Sequence, residues 1–145
     1  MFVNCSNHPS AGWAAEQRAE AEKWGRIVDV PFPSVPADAD EDQIQSLAET
    51  TVSKIISFHP CAVMCQGEFT LTFAIVSELL RKGIHVVSAC SERDVQEEKQ
   101  ADGSDRKIAK FRFVRLRAYR AEESAFQTGG LRHAGRGGLI REGLG

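Results

Sequence analysis

The side chains best suited to chemistry follow two apolar segments in the middle of the chain. Cys61 to Cys65 leads into the turn Gln66-Gly67-Glu68-Phe69-Thr70, and Ile84 to Cys90 leads into Ser91-Glu92-Arg93. These two turns contain amide, carboxylate, hydroxyl and guanidinium groups, which bind phosphates, carboxylates and sugar hydroxyls. The sequence therefore predicts a polar ligand site, provided that the fold brings the two turns together.

The first turn combines groups that attract an anion with one that repels it. Gly67 lets a ligand approach the backbone closely, and the free N–H groups of a following helix favour negative charge. The amide of Gln66 and the hydroxyls of Thr70 and Thr72 could bind the same ligand. Glu68 either caps the helix or accepts hydrogen bonds from ribose hydroxyls, or acts as a base or nucleophile. Because a carboxylate repels a phosphate, Glu68 fits sugar recognition better than phosphate binding.

Two other segments offer candidate site residues. Arg93 could clamp a phosphate or carboxylate across the crevice, and Ser91 offers a hydroxyl beside it. The polar turn Ser6-Asn7-His8-Pro9-Ser10 follows the first apolar segment, and Ser6 is a plausible ligand hydroxyl. His8 could act as a general acid or base, although a lone histidine in such a turn is more often bonded to backbone.

The sequence contains no standard nucleotide-binding or metal-binding motif. The absence of GxxxxGK[ST] and GxGxxG disfavours a nucleoside triphosphatase or a typical dinucleotide-binding protein. Cysteines in or beside predicted strands are usually small buried residues, and the chain has no CxxC pair. We therefore expect no bound metal and no cofactor; the four cysteines are Cys5, Cys61, Cys65 and Cys90.

Short apolar segments alternate with helix-length segments along the first two thirds of the chain. The predicted order is β-α-β-α-β-α-β, with strands at 2–5, 27–30, 61–65 and 84–90 and helices at about 13–24, 41–58 and 69–82. Helical crossovers join parallel strands and are almost always right-handed. The sequence therefore predicts a small, open, Rossmann-like α/β sheet whose strands are mostly parallel. Ligands bind such sheets at the carboxyl ends of the strands. The segments expected at that edge are Ser6 to Ser10, the loop Pro31 to Pro36, Gln66 to Thr72, and Ser91 to Arg93.

A β-hairpin is predicted at the end of this sheet. Asp94 to Gln100 alternates weakly, Asp102-Gly103 is a turn signal, and Lys107 to Tyr119 is rich in residues that favour strands. The apolar phase slips between Phe113 and Val114, which indicates a β-bulge. Residues 1–119 are therefore predicted to form one domain, and the Gly- and Arg-rich segment 120–145 to be a mobile tail.

The length, net charge and composition of the chain are typical of a soluble globular domain. The chain has 145 residues, a formal charge of −2 and 42% hydrophobic residues. Its charge argues against a surface that binds duplex nucleic acid or membrane, and no apolar segment approaches the roughly 18 residues of a membrane span. The amino terminus lacks the pattern of a signal peptide, so we expect a cytoplasmic protein.

The segment VMCQGEFTLTFAIVSELLRKGIHVVSACSER, followed by ADGSD and FRFVRLRAY, resembles small stand-alone CRISPR-associated proteins with a CARF-like Rossmann core. Ring nucleases of type III systems are among them. The similarity extends over residues 1–119 and is densest over 63–119, and the opening NCSNHPS resembles the family's polar turn more loosely. It implies a homodimer that binds a cyclic oligoadenylate and cleaves it without a metal.

The resemblance implies roles for the candidate residues. Ring opening there resembles in-line attack of a ribose 2′-hydroxyl on the adjacent phosphate, which needs positioning and charge stabilisation. Asn7 or His8 would contact the 2′-hydroxyl, and Arg93 would stabilise charge. The residues expected to contact ribose and phosphate are Gln66, Glu68, Thr70 and Thr72.

Other functions remain open at this stage. The protein could sequester the nucleotide without cleaving it. It could be a nucleoside deoxyribosyltransferase-like or glycosidase-like enzyme, in which Glu68 attacks an anomeric carbon. It could also be a binding module that uses the hairpin edge and has no catalytic activity.

Overall fold

Five strands and three α-helices alternate along the part of the chain that the structure, a computed structural model, describes, which is residues 1–121. The Gly- and Arg-rich segment 120–145 lies outside it, apart from Arg120 and Ala121. In order, the elements are β1 (Phe2–Ser6), a 3₁₀ turn (Ser10–Gly12), α1 (Ala15–Glu22), β2 (Ile27–Asp29), α2 (Glu41–Ile56), β3 (Ala62–Gln66), α3 (Phe69–Arg81), β4 (Val86–Lys99) and β5 (Asp105–Ala118).

The strands form one mixed sheet in the order β2-β1-β3-β4-β5. The first four strands are parallel, and β5 is antiparallel to β4. The α/β class, the mostly parallel sheet and the hairpin at its edge were predicted and are confirmed. Because the four parallel strands point the same way, their carboxyl ends lie at one edge, as the order of the elements requires.

Each face of the sheet is covered by different helices. Side chains of β1, β3 and β4 pack with α2 and α3 on one face; Val3, Val63 and Val86 are among them. On the other face, α1 contributes Ala21 and the segment before it contributes Trp13 to a smaller cluster around Phe2 and Met64. Crossovers of a single hand produce this arrangement, since β1-to-β2 and β2-to-β3 run in opposite directions across the sheet.

Local sequence explains the start of α2. The Asp40 side chain accepts from the backbone N–H of Gln43 at 2.8 Å, and the Gln43 side chain accepts from the backbone N–H of Asp40 at 2.8 Å. This reciprocal capping satisfies two N–H groups that the first turn would otherwise leave unpaired. The sequence predicted that either Asp38 or Asp40 would cap this helix, and Asp40 does so.

Strands β4 and β5 extend well past the rest of the sheet. Each strand has 14 residues, whereas β4 pairs with β3 only through Val86 and Val87. All residues from Ser91 to Lys99 are exposed. We call residues 91–113, which project beyond the sheet as a two-stranded ribbon, the arm.

The predicted bulge is present, but the predicted end of the fourth strand is wrong. Cys90 pairs with Arg115 and Ser91 pairs with Phe113, so Val114 has no partner in the ladder. The fourth strand was expected to end at Cys90, with Ser91 to Arg93 in a loop. It continues because each residue from Ser91 to Lys99 lies opposite a residue of β5, which supplies the hydrogen bonds of the ladder.

Among the described residues, no helix is long and apolar enough to cross a membrane.

Candidate functional site

The crevice between the ends of β1 and β3 is the candidate site. In the order β2-β1-β3, the chain leaves β1 toward one side of the sheet and later places β3 on the other side. In open parallel sheets, ligands bind at this point of reversal, outside the carboxyl ends of the strands. Ser6 and Gln66 are the last paired residues of β1 and β3, so the turns 6–10 and 66–70 begin side by side at this edge, and the space between these turns is the crevice.

A network of buried polar groups shapes the β1 side of the crevice. Asn4 is buried, and its amide donates to Asp29 Oδ1 and to the backbone carbonyl of His8, both at 2.9 Å. Ser6 is also buried, and its hydroxyl donates to Asn4 Oδ1 at 2.7 Å. Sequence reasoning missed Asn4 and Asp29. A polar Asn within the apolar strand Phe2-Val3-Asn4-Cys5 was the signal that could have found them.

The turn after β1 is fixed by contacts to its backbone. Asp29 accepts from the Ser10 hydroxyl at 3.1 Å, and Arg18 donates to the Ser10 carbonyl at 2.6 Å. The indole N–H of Trp13 donates to the His8 carbonyl at 3.2 Å. These bonds hold the turn while its tip stays free, since Asn7 and His8 are exposed.

The His8 imidazole makes no hydrogen bond to any residue within 1–121, although the His8 backbone is well anchored. Asn7, beside it, also has a side chain without such a bond in that part of the chain. Of the predicted site residues in this turn, Asn7 and His8 are placed to meet a ligand. Ser6 supports the turn from below.

On the β3 side, Gln66 bridges two strands. Its side-chain oxygen accepts from the Ala89 backbone N–H at 2.7 Å, and its amide lies 3.5 Å from the Ala89 carbonyl. The β3–β4 ladder ends at Met64–Val87, so the Gln66 side chain continues the pairing where the backbones no longer meet. It thereby fixes the base of the arm against the crevice.

Gly67 accommodates a neighbouring side chain. A Cβ built at this position would lie 2.5 Å from ring atoms of Phe32. Phe32 belongs to the loop after β2, is buried, and its backbone N–H donates to the Ser6 carbonyl at 3.4 Å. The proline-rich loop was expected at this edge, and its Phe32 ring occupies the space that a side chain at 67 would need.

Glu68 caps α3. One carboxylate oxygen accepts from the Thr70 N–H at 3.1 Å, and the other accepts from the Leu71 N–H at 2.8 Å and the Thr70 hydroxyl at 2.7 Å. The Leu71 N–H, followed by the Thr70 hydroxyl and N–H, lowers the pKa of Glu68 below its usual value. Two of the N–H groups that were expected to attract an anion at the start of this helix, those of Thr70 and Leu71, are therefore already bonded to Glu68.

In the first turns of α3, the candidate site residue Thr72 has a hydroxyl shielded from solvent, whereas two phenylalanine rings are exposed to solvent. The Thr72 hydroxyl is shielded from solvent and has no hydrogen-bond partner among residues 1–121. Phe69 and Phe73 are 90% and 75% exposed. Sequence reasoning did not single them out, because apolar residues in a helix next to a strand are expected in the core.

The arm carries the last two candidates, Ser91 and Arg93. Gln66 contacts Ala89, so Ser91 lies two residues and Arg93 four residues farther along β4. At roughly 3.3 Å per residue, Arg93 stands about 13 Å beyond the level of Gln66. Ser91 is near the crevice, whereas Arg93 would meet a ligand only if the ligand extended along the arm.

The grooves of this edge are acidic. A groove of about 560 Å³ runs beside the start of α2 and is lined by Asp40 and Asp42 as well as Ser34 and Gln43. A smaller one, of about 270 Å³, lies between the starts of α2 and α3, where Asp40 and Glu41 approach Thr70. These carboxylates favour hydroxyl groups and disfavour phosphates at this part of the edge.

Four free thiols lie in the described part of the chain, and two of them are neighbours in the sheet. Cys5 and Cys65 are buried and paired in register. A hydrogen bond to Cys5, together with burial, raises the pKa of the Cys65 thiol. Cys61 is exposed and Cys90 half-buried, so burial was a wrong expectation for Cys61, which precedes β3. Within residues 1–121, no three His, Cys, Asp or Glu side chains form a group that could hold a metal ion.

Residues 1–117 match the model of the Uncharacterized protein MJ1673 family, and the chain belongs to that family. The match includes every element from β1 to β4 and all of β5 except its last residue. No curated protein and no solved structure matches the chain.

Proposed function

We propose that this member of the MJ1673 family binds a cyclic oligoadenylate in the crevice between β1 and β3 and cleaves it, as a metal-independent ring nuclease of a type III CRISPR system. The observation that carries the proposal is the reversal of strand order at β1 and β3, where the turns 6–10 and 66–70 meet. Those turns carry most of the residues to which the resemblance to ring nucleases gives roles.

The proposed reaction is a transesterification within the ligand. A ribose 2′-hydroxyl oxygen attacks the adjacent phosphorus, the bond from phosphorus to the 5′-oxygen breaks, and the product ends in a 2′,3′-cyclic phosphate. The 2′-hydroxyl gives up one proton and the departing 5′-oxygen takes one up, so a single acid–base group near the reacting atoms can serve both steps. His8 suits this role because its imidazole is exposed and its backbone is anchored.

Other exposed groups suit the rest of such a ligand. Phe69 lies next to the cap of α3 with its ring in solvent, and an aromatic ring in that position can stack on an adenine base. Asn7 and Ser91 can bond ribose hydroxyls or phosphate oxygens. The role that the resemblance gives to Arg93 requires a phosphate located toward the arm.

The alternative in which Glu68 is a nucleophile has less support than a capping role. Both of its oxygens accept hydrogen bonds from residues of its own helix. A carboxylate held in that way is oriented toward the helix start and is less available to attack a sugar. Glu68 therefore enters the proposal as a residue that orders the first turn of α3.

In the deciding experiment, the full chain is incubated with cyclic tetra-adenylate or cyclic hexa-adenylate in the presence of EDTA. The reaction products are then separated by chromatography and identified by mass spectrometry. Linear products ending in a cyclic phosphate are expected. Tight binding without products would identify a protein that sequesters the nucleotide, and the absence of binding at micromolar ligand would refute both forms. Release of free base from nucleosides would instead favour the glycosidase-like alternative.

A further inference from the structure

The arm has two chemically different faces. Directly opposite residues of antiparallel strands share a face, and successive residues alternate between faces. One face, which we call the ion-paired face, carries Glu92–Arg112, Asp94–Lys110, Gln96–Ile108 and Glu98–Arg106. The other, which we call the apolar face, carries Ser91–Phe113, Arg93–Phe111, Val95–Ala109, Glu97–Lys107 and Lys99–Asp105.

The two faces differ in apolar content: four of the ten residues on the apolar face are apolar, against one of eight on the ion-paired face. Arg112 donates to Glu92 at 2.6 Å on the ion-paired face. On the apolar face, Phe111 is 73% and Val95 is 51% exposed. A two-stranded ribbon is only marginally stable on its own in water, and Phe111 and Val95, which are diagonal neighbours on it, offer an exposed apolar contact.

We propose that the apolar face of the arm binds the same face of a second copy of this chain. The two arms would lie antiparallel, related by a two-fold axis that passes through the pair Val95–Ala109. This inference concerns assembly and does not rest on the proposed ligand.

Arg93 and Glu97 on this face are complementary about that axis. An axis running across the strands, between the two faces, places β4 over the partner's β4 and β5 over the partner's β5. Arg93 and Glu97 lie two positions to either side of Val95, so Arg93 would face the partner's Glu97. Phe111 and Lys107 flank Ala109 in the same way, so each Phe111 ring would face a lysine side chain of the other copy.

The antiparallel arrangement is favoured over a parallel one by the position of α1. Ala89 and Leu116, at the base of the arm, pack with Ala21 of α1 on the face that continues into the apolar face. Stacked sheets are about 10 Å apart, and a helix with its side chains is about 10 Å thick. Parallel arms would bring both copies' α1 into one gap, whereas antiparallel arms place the two helices at opposite ends.

The size of the contact predicts a reversible dimer. Nine residues of β4, Ser91 to Lys99, extend about 30 Å at roughly 3.4 Å per residue. Two strands of that length offer less than the roughly 800 Å² per partner of a typical stable interface. Dimerisation should therefore depend on concentration within the micromolar range.

Charge reversal provides the main test. Sedimentation velocity of the full chain across the micromolar range is expected to show a monomer–dimer equilibrium. Arg93→Glu and Glu97→Arg should each weaken dimerisation by about 10-fold or more, because each places like charges in contact across the interface. The double variant R93E/E97R should restore it. Residues 93 and 97 are about 13 Å apart along one strand, so this recovery cannot arise within one chain.

Two matched controls separate this contact from general surface effects. Glu98→Arg makes the same change one residue away, on the ion-paired face, and should leave dimerisation unchanged. Phe111→Ser should abolish it, whereas Phe73→Ser, which removes an equally exposed ring from α3, should not. Circular dichroism checks that every variant is folded.

Three results would overturn the proposal: a wild-type protein that stays monomeric, dimers that are insensitive to R93E and F111S, or a double variant that fails to recover. Recovery in the double variant, with E98R and F73S unaffected, supports the proposed contact and its register. In that assembly Arg93 contacts the partner, not a phosphate, and catalysis in the crevice does not require it.

Discussion

Phe32 and Gly67 lie in contact where the loop after β2 crosses the turn after β3. A single Cβ added at 67 would come within 2.5 Å of the Phe32 ring, which is closer than non-bonded carbon atoms approach. This contact joins two of the segments that border the crevice and fixes their separation.

Gly67→Ala should therefore destabilise the protein by about 1–3 kcal/mol, the usual cost of overpacking a buried site. The expected result is a lower midpoint in urea unfolding, with an unchanged slope. Gly12→Ala is the matched control, because a Cβ at position 12 meets nothing within 4 Å. Equal midpoints for the two variants would show that Phe32 moves aside easily.

Glu68→Gln should weaken the cap of α3 in a pH-dependent manner. The folded pKa of Glu68 lies below its unfolded value, so the ionised carboxylate stabilises the folded state above the unfolded pKa. That contribution is lost as the pH falls through the folded pKa. We expect the melting temperature of the variant to fall by roughly 2–6 °C at neutral pH.

The same difference should shrink toward zero as the buffer is made strongly acidic. Melting curves of wild type and E68Q from neutral to acidic pH measure it. Glu49→Gln, on the exposed part of α2, serves as the control. A deficit in E68Q that stays constant with pH would contradict a role for the charge.

The four thiols should react in two groups. Cys61 is exposed and should be alkylated first by iodoacetamide, followed by the half-buried Cys90. Cys5 and Cys65 are buried, and the raised pKa of Cys65 keeps its thiol protonated, so both should react only after unfolding. Peptide mass spectrometry over a time course distinguishes the groups; early labelling of Cys65 would mean that this part of the sheet opens readily.

His8→Ala should abolish cleavage of the cyclic oligoadenylate while leaving binding within about a factor of 10, if His8 handles the proton of the 2′-hydroxyl. Because the imidazole is exposed and unpaired within residues 1–121, the fold should be unaffected. His59→Ala, at the opposite end of the sheet, is the control and should cleave normally. Full activity in the His8 variant would assign the proton transfer elsewhere.

Asn4→Ala should cost roughly 1–3 kcal/mol, the penalty for leaving buried polar groups without a partner. The carbonyl of His8, Asp29 and the Ser6 hydroxyl would each lose a hydrogen bond. Urea unfolding measures the loss of stability, and amide exchange at Asn7 and His8 should report a looser turn. A stability within 0.5 kcal/mol of wild type would show that water replaces the amide fully.

The parts of the fold that follow from local sequence were predictable. Alternating apolar segments and helix-length segments indicated the parallel sheet, Asp38 or Asp40 indicated the start of α2, and the slip at Phe113–Val114 indicated the bulge. Each of these depends on neighbours in the chain. The β4 extension depends on residues of β5 that follow it by up to 22 positions. The weak alternation of Asp94 to Gln100 indicated a hairpin strand, but Ser91 to Arg93 were expected in a turn, so the continuity of this strand with β4 was missed.

The details of the candidate site were less accessible for the same reason. Asn4 and Asp29 are 25 residues apart, and Phe32 and Gly67 are brought together only by the sheet. A single sequence shows which types of residue occur in each turn, but it does not show which backbone group or ring each side chain contacts. Capping of α3 was one of the roles that the sequence left open for Glu68, and it could be named because the partners, Thr70 and Leu71, are local.

The register of the hairpin makes its length adjustable. Its two strands pair residue for residue from Ser91–Phe113 to Lys99–Asp105, with no other strand attached. Removing two residues from each strand would shorten the hairpin by one repeat of the alternation and keep every remaining side chain on its original side. Removing one residue from each strand would move every side chain beyond the deletion to the opposite face. Natural variants of this chain should therefore differ in hairpin length by even numbers of residues per strand, because only such changes keep each side chain on its own face of the hairpin.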